Sequence, residues 1–132
     1  MREYVLDTDT CIYWLKGKEK ILKKVKQIGT ESLRMTIITL AELKYGAYNS
    51  KKVNENLENI IKFLRKVRVL PLDSDAAERF GKIKTNLRKS GKIIQDFDIL
   101  IASITLSHEG ILITNNVDHF KRIPGLSYEN WL

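Results

Sequence analysis

The chain has 132 residues, 43% of them hydrophobic and 30% charged, and its 23 Lys and Arg against 16 Asp and Glu leave a formal charge of +7. This size suits one domain, spanning 1–132, able to bury a core without disulfides. A single cysteine, Cys11, excludes an internal disulfide and a thiolate zinc site, and no apolar run reaches the length of a membrane span, so a cytoplasmic protein with no membrane partner is expected.

In chain order, Glu3 to Leu6 reads as a short buried strand, and Thr8 or Asp9 can cap a helix running to about Leu15. Ile21, Leu22, Val25 and Ile28 share one face of a second helix. Ser32 to Ile37 is the next strand, followed by a helix from about Thr39 to Tyr48. Val53, Leu57, Ile60, Ile61, Leu64 and Val67 carry the clearest helical period in the chain, ahead of a strand at Val67 to Leu70. Asp73 or Ser74 caps a helix whose expected buried face is Ala77, Phe80, Ile83 and Leu87, and Gly91 closes it. An apolar helix follows Asp96 and runs to about Ser107, and Ile111 to Thr114 forms the last predicted strand. Strands separated by helices predict an α/β fold, a central, mostly parallel sheet of four to five strands with helices on both faces. Ligands of such sheets sit beyond the carboxyl ends of the strands, where Asp7 and the Thr114-Asn115-Asn116 turn would lie.

Three carboxylates stand inside apolar frames in this basic chain: Asp7 after Tyr4-Val5-Leu6, Glu42 after Ile37-Ile38-Thr39-Leu40-Ala41, and Asp98 within Phe97-Asp98-Ile99-Leu100-Ile101. Burying carboxylates is costly unless they are paired or bind a metal. Folding that gathers all three around a divalent cation accounts for them together and points to a metal-dependent hydrolase. The positive charge predicts attraction to polyanions. Between Arg79 and Lys92 lie six basic residues and no acid, so Arg79, Lys82, Arg88 and Lys89 are the expected nucleic-acid contacts leading into the acidic centre.

The segments Val5-Leu6-Asp7-Thr8-Asp9-Thr10-Cys11-Ile12, Thr39-Leu40-Ala41-Glu42-Leu43-Lys44-Tyr45-Gly46-Ala47, Asp96-Phe97-Asp98-Ile99-Leu100-Ile101-Ala102 and Ile113-Thr114-Asn115-Asn116, with Phe120 to Leu126 and Trp131, resemble a PIN-domain ribonuclease, and within that superfamily the VapC toxins of toxin-antitoxin pairs. The resemblance spans the whole chain in the family's order. It implies an endoribonuclease whose acidic residues, here Asp7, Glu42 and Asp98, hold Mg2+ or Mn2+. It also implies an RNA substrate, a VapB-like antitoxin, a homodimer, and DNA contact only through the antitoxin. The place of the family's frequent fourth acid is taken by Asn116, which removes a charge; Asp96 and Asp118 are the substitutes. Asp7 and Asp98 are the expected metal ligands and Glu42 the residue that orients or deprotonates the attacking water. Asp9 and Thr114 are assigned supporting roles.

Each residue has a plainer reading. Glu42 stands three after Thr39, the spacing of a helix capping box. Asp7 and Asp98 can each serve as helix caps. Cys11, among Ile12, Tyr13 and Trp14, reads as a small buried residue, and His119 as a solvated loop residue. The functional alternatives are a phosphatase using Asp7-Thr8-Asp9 as a nucleophile motif, a PIN nuclease of RNA processing, and a basic module that binds RNA without cutting it.

Overall fold

The computed structural model describes residues 2–132. Its strands are β1 (Tyr4–Leu6), β2 (Leu33–Thr36), β3 (Arg68–Leu70), β4 (Ile111–Ile113) and β5 (Ser127–Glu129). Its helices are α1 (Thr8–Leu15), α2 (Glu19–Ile28), α3 (Ile37–Tyr48), α4 (Val53–Leu64), α5 (Ser74–Lys89), α6 (Asp96–Ser107) and the single turn α7 (Val117–Phe120). The four predicted strands all form. β5 and α7 are additions to the predicted set, each too short to leave a period in the sequence.

All strand pairs are parallel, in the order β3-β2-β1-β4-β5. Successive side chains of a strand face opposite sides, and this divides the core. Leu6, Leu33, Met35, Ile111 and Ile113 pack with α1, α2, α3 and α4 through Trp14, Ile21, Leu43, Ile60 and Phe63. Val5, Leu70 and Leu112 face the other way, against Leu87, Ile99, Ala102 and Phe120 of α5, α6 and α7. Burying such side chains contributes about 1.5–3 kcal/mol each, so both layers hold the sheet firmly.

Local signals set the element ends. Asp73 caps α5, accepting from the Ala76 amide at 2.9 Å. The buried stripe of α5 starts at Ala76, with Ala77 exposed, one residue earlier than the periodicity predicts. At its far end Gly91 takes φ 68°, and the amides of Gly91 and Lys92 bond the carbonyls of Arg88 and Leu87, the paired closure that a left-handed residue allows. Gly110 is required for another reason: a Cβ there would stand 3.1 Å from the Glu3 carbonyl and 3.0 Å from a Val5 methyl. Only glycine lets α6 turn so closely into β4.

The chain runs outward in one direction through β2 and β3, and in the other through β4 and β5. The reversal falls between β1 and β4, the place where the loops beyond adjacent strands part and leave a crevice. Among the described residues no helix is long and apolar enough to cross a membrane.

Candidate active site

Asp7 follows β1 directly and its amide bonds the Ile113 carbonyl at 2.8 Å, so the carboxylate starts at the crevice between β1 and β4. It does cap α1: Oδ1 accepts from the Thr8 amide at 2.9 Å, while Oδ2 accepts from the Thr114 hydroxyl at 2.8 Å. The plain reading of Asp7 as a cap is thus true, and it fixes the carboxylate without neutralising it. Asp7 is only 6% exposed, and among the described residues no cationic side chain pairs with it. Burial, then the nearby charge of Asp9, pushes its pKa up to about 7, and Asp98 adds a smaller rise.

Asp9, on the first turn of α1, accepts from the Asn115 amide at 3.1 Å and from the Thr10 hydroxyl at 3.2 Å. It thereby ties the first turn of α1, where Thr10 also bonds it, to the turn after β4, and its charge raises the pKa of Asp7. Burial lifts its own pKa as well. Thr114, fully buried, donates to Asp7 and accepts from the Asn116 amide at 2.9 Å, the supporting role expected of it.

Glu42 sits on the second turn of α3. The capping-box reading fails, because α3 starts at Ile37 and is capped by Thr36, whose hydroxyl accepts from the Thr39 amide at 3.1 Å. Glu42 instead reaches α1: its Oε1 lies 2.6 Å from the Thr8 hydroxyl, which also lies 3.0 Å from the Thr39 hydroxyl. With one proton to give, Thr8 donates to the carboxylate and accepts from Thr39. Thr8 is therefore a site residue that the sequence showed only as a possible cap. Thr8→Val should leave the fold within about 1 kcal/mol of wild type and slow single-turnover RNA cleavage roughly tenfold or more by freeing Glu42; unchanged turnover would show that this bond does not place it.

Asp98 lies on the first turn of α6, and its Oδ2 stands 3.1 Å from His119 Nδ1. Asp96 opens the same helix but turns away to Lys84 of α5, with Nζ at 2.9 Å. Asp118 is exposed and pairs with Lys121 at 3.1 Å. Neither substitute joins the carboxylates. Asn116 does lie at the site, with its Nδ2 2.8 Å from the same His119 nitrogen. His119, read from the sequence as a solvated residue, is brought in by α7, whose next residue, Phe120, is fully buried.

Among the described residues no three His, Cys, Asp or Glu side chains form a ready metal shell. The donors nevertheless suit a hard divalent cation: they are carboxylate oxygens, and Asp7 is a buried acid lacking a positive partner. Cys11 is fully buried, with Sγ 3.8 Å from the Leu6 carbonyl and a pKa raised by burial; it is a packing residue, not a nucleophile.

The basic residues divide. Lys84 and Arg88 line a hollow with Ile93 and Asp96 at the end of α6 nearest Asp98. Lys82 and Lys89 line another face of α5 with Glu78, to which Lys82 is paired at 3.6 Å. Arg79 is bound to Asp75 at 2.9 Å, and Asp75 also accepts from Ser107 at the far end of α6. Nine residues of helix separate Ser107 from Asp98, roughly 14 Å, so Arg79 lies away from the acidic centre.

This arrangement, acids beyond the carboxyl ends of a parallel sheet in 3-2-1-4-5 order, has close counterparts. The PIN domain family model matches residues 4–126. The tRNA(fMet)-specific endonuclease VapC of Salmonella typhimurium is 34% identical over 131 residues, 99% of each chain. Ribonuclease VapC2 of Haemophilus influenzae is 38% identical over 133 residues, the full length of both. The crystal structure of DNA-bound VapBC from Salmonella typhimurium matches with a TM-score of 0.94 at 35% identity over all of both chains, and VapBC2 from Rickettsia felis bound to a promoter fragment with 0.92 at 33% over 98% of each. The chain belongs to the PIN-domain family. Within that family it groups with the VapC ribonucleases.

Proposed function

We propose that this protein is the toxin of a type II toxin-antitoxin pair, an endoribonuclease that hydrolyses RNA phosphodiester bonds with a divalent cation, Mg2+ or Mn2+, held by Asp7 and Asp98. The observation that carries the reading is Asp7, buried at the sheet reversal with no positive partner among the described residues and near enough to Asp98 for that charge to raise its pKa, while Glu42 of α3 reaches the same edge through Thr8. Such a cation supplies an activated water and offsets charge on the phosphoryl oxygens. The chain's own part is positional. Thr8 and Thr114 hold the carboxylates of Glu42 and Asp7, and Glu42, half-buried and at the edge of the site, accepts the proton of the attacking water. The nucleophile-motif alternative loses support, since Asp7 is capped and enclosed by Thr8 and Thr114.

The VapBC complexes among the structural relatives support a VapB-like antitoxin as partner. An open, mostly apolar groove between α1, α3 and α4, lined by Ile12, Leu15, Leu43, Ala47 and Ile60, ends at Glu42. An antitoxin segment seated there reaches the carboxylates. A homodimer is proposed on the same family likeness, and DNA contact is assigned to the antitoxin alone.

The deciding experiment is cleavage of a mixed small-RNA pool by antitoxin-free protein, with Mg2+ or Mn2+ against chelator. Metal-dependent cutting is expected; RNA binding without turnover would favour the non-catalytic module. For the RNA path, Arg88→Glu should weaken binding at low salt roughly tenfold, with Arg79→Glu having little effect because that side chain is already paired away from the site. Equal effects of the two changes would place the RNA elsewhere.

A further inference from the structure

His119 Nδ1 stands between two polar partners at the acidic centre. It lies 2.8 Å from Asn116 Nδ2 and 3.1 Å from Asp98 Oδ2. Bearing a proton, the nitrogen donates to the carboxylate but cannot accept from the amide; without the proton the reverse holds. Turning the amide over leaves one proton shared between two oxygens. The backbone that carries the ring is anchored, because Phe120 is fully buried and the Asn116 backbone N–H donates to the Thr114 hydroxyl.

We infer that His119 is a member of the metal-holding set, its Nδ1 adjoining Asp98 Oδ2 in a mixed nitrogen and oxygen site that takes Mn2+ ahead of Mg2+. The inference rests on the metal-dependent reading proposed above. A separation of 3.1 Å is also what neighbouring ligands of an octahedral ion keep, about 3.0 Å for bonds near 2.1 Å. Imidazole suits borderline transition ions, whereas Mg2+ favours oxygen. The side chain is 39% exposed, which leaves room for the outer contact that metal-bound histidines keep. Asp96 and Asp118 are both turned to lysines, and Asn116 brings no charge. Beside Asp98, and in addition to Asp7, the imidazole is a strong donor already in hydrogen-bond contact.

The test is titration of the full-length, antitoxin-free protein with Mn2+ and with Mg2+, followed by thermal melts, for wild type and His119→Gln. Pulsed EPR of the Mn2+-loaded proteins accompanies it. Glutamine can still hydrogen-bond Asp98, so a histidine that only positions the carboxylate is largely replaced by it. Wild type is expected to bind Mn2+ about a hundredfold more tightly than Mg2+, the ratio falling roughly tenfold in His119→Gln. The nitrogen coupling of a directly bound imidazole should vanish with it. A bound Mn2+ with no such coupling in wild type, or an unchanged ratio in the variant, overturns the assignment of His119 alone. Failure of either ion to raise the melt of folded wild type overturns the metal reading as well.

Discussion

Asp98→Asn is expected to lower RNA cleavage by about a thousandfold or more while leaving the protein folded. The change is isosteric, and the amide oxygen can still meet the His119 ring that stands 3.1 Å from Oδ2. What goes is one negative charge at the first turn of α6, and with it a proposed ligand for the cation. Losing a group that acts on developing charge costs on the order of 10²–10³ in rate even where the rest of the site stays intact, and a lost metal ligand adds to that. The same substitution removes repulsion of phosphate, so RNA affinity at low salt should be equal or higher. Single-turnover cleavage, filter binding and a thermal melt on the same preparation decide the matter. Residual cleavage within tenfold of wild type would remove Asp98 from the reaction.

The sheet was legible because β1 and β4 are short apolar runs, β2 alternates Leu33 and Met35 with Arg34 and Thr36, and helical periods separate them. Asp7, Glu42 and Asp98 could be singled out for a related reason: a carboxylate inside an apolar frame conflicts with burial and therefore signals a purpose. Residues whose role depends on distance between elements left no such mark. Thr8 and Glu42 are 34 positions apart and meet only because α1 and α3 pack together. His119 looks like any polar loop residue until α7 forms, and that turn, held by Phe120, is too short to show a period. β5 went unread since Ser127-Tyr128-Glu129 is a three-residue edge strand, largely exposed, with no apolar run to announce it. The capping-box reading of Glu42 failed because Thr36 and Thr39 both offer a cap, and only the backbone direction of β2 into α3 chooses between them. The basic run looked continuous in sequence, yet a helix distributes its residues around an axis, and so α5 sends Arg79 and Lys84 to different ends and partners.

Asp7→Asn is expected to stabilise the metal-free protein even as it removes function. The folded-state pKa of Asp7 is about 7 against 3.8 for the free side chain. An acid raised on folding binds more protons in the native state than in the unfolded one, so wild-type stability should fall as pH rises from about 4 to about 7 and stay level above that. The ceiling on this penalty is roughly 4 kcal/mol, and relaxation around the site brings the expected value to about half. In chelator at pH 8, Asp7→Asn should therefore melt several degrees above wild type, since about 1 kcal/mol moves a domain of this size by a few degrees. At pH 4.5 the two should converge, because the wild-type carboxyl is then protonated. Adding Mn2+ at pH 8 should raise the wild-type melt and leave the variant nearly still, the ion supplying the positive partner that Asp7 lacks. A wild-type melt that does not change between pH 5 and 8 beyond that of the variant would mean that Asp7 is not a buried charge in the folded protein, and the electrostatic basis for a cation at this crevice would go with it.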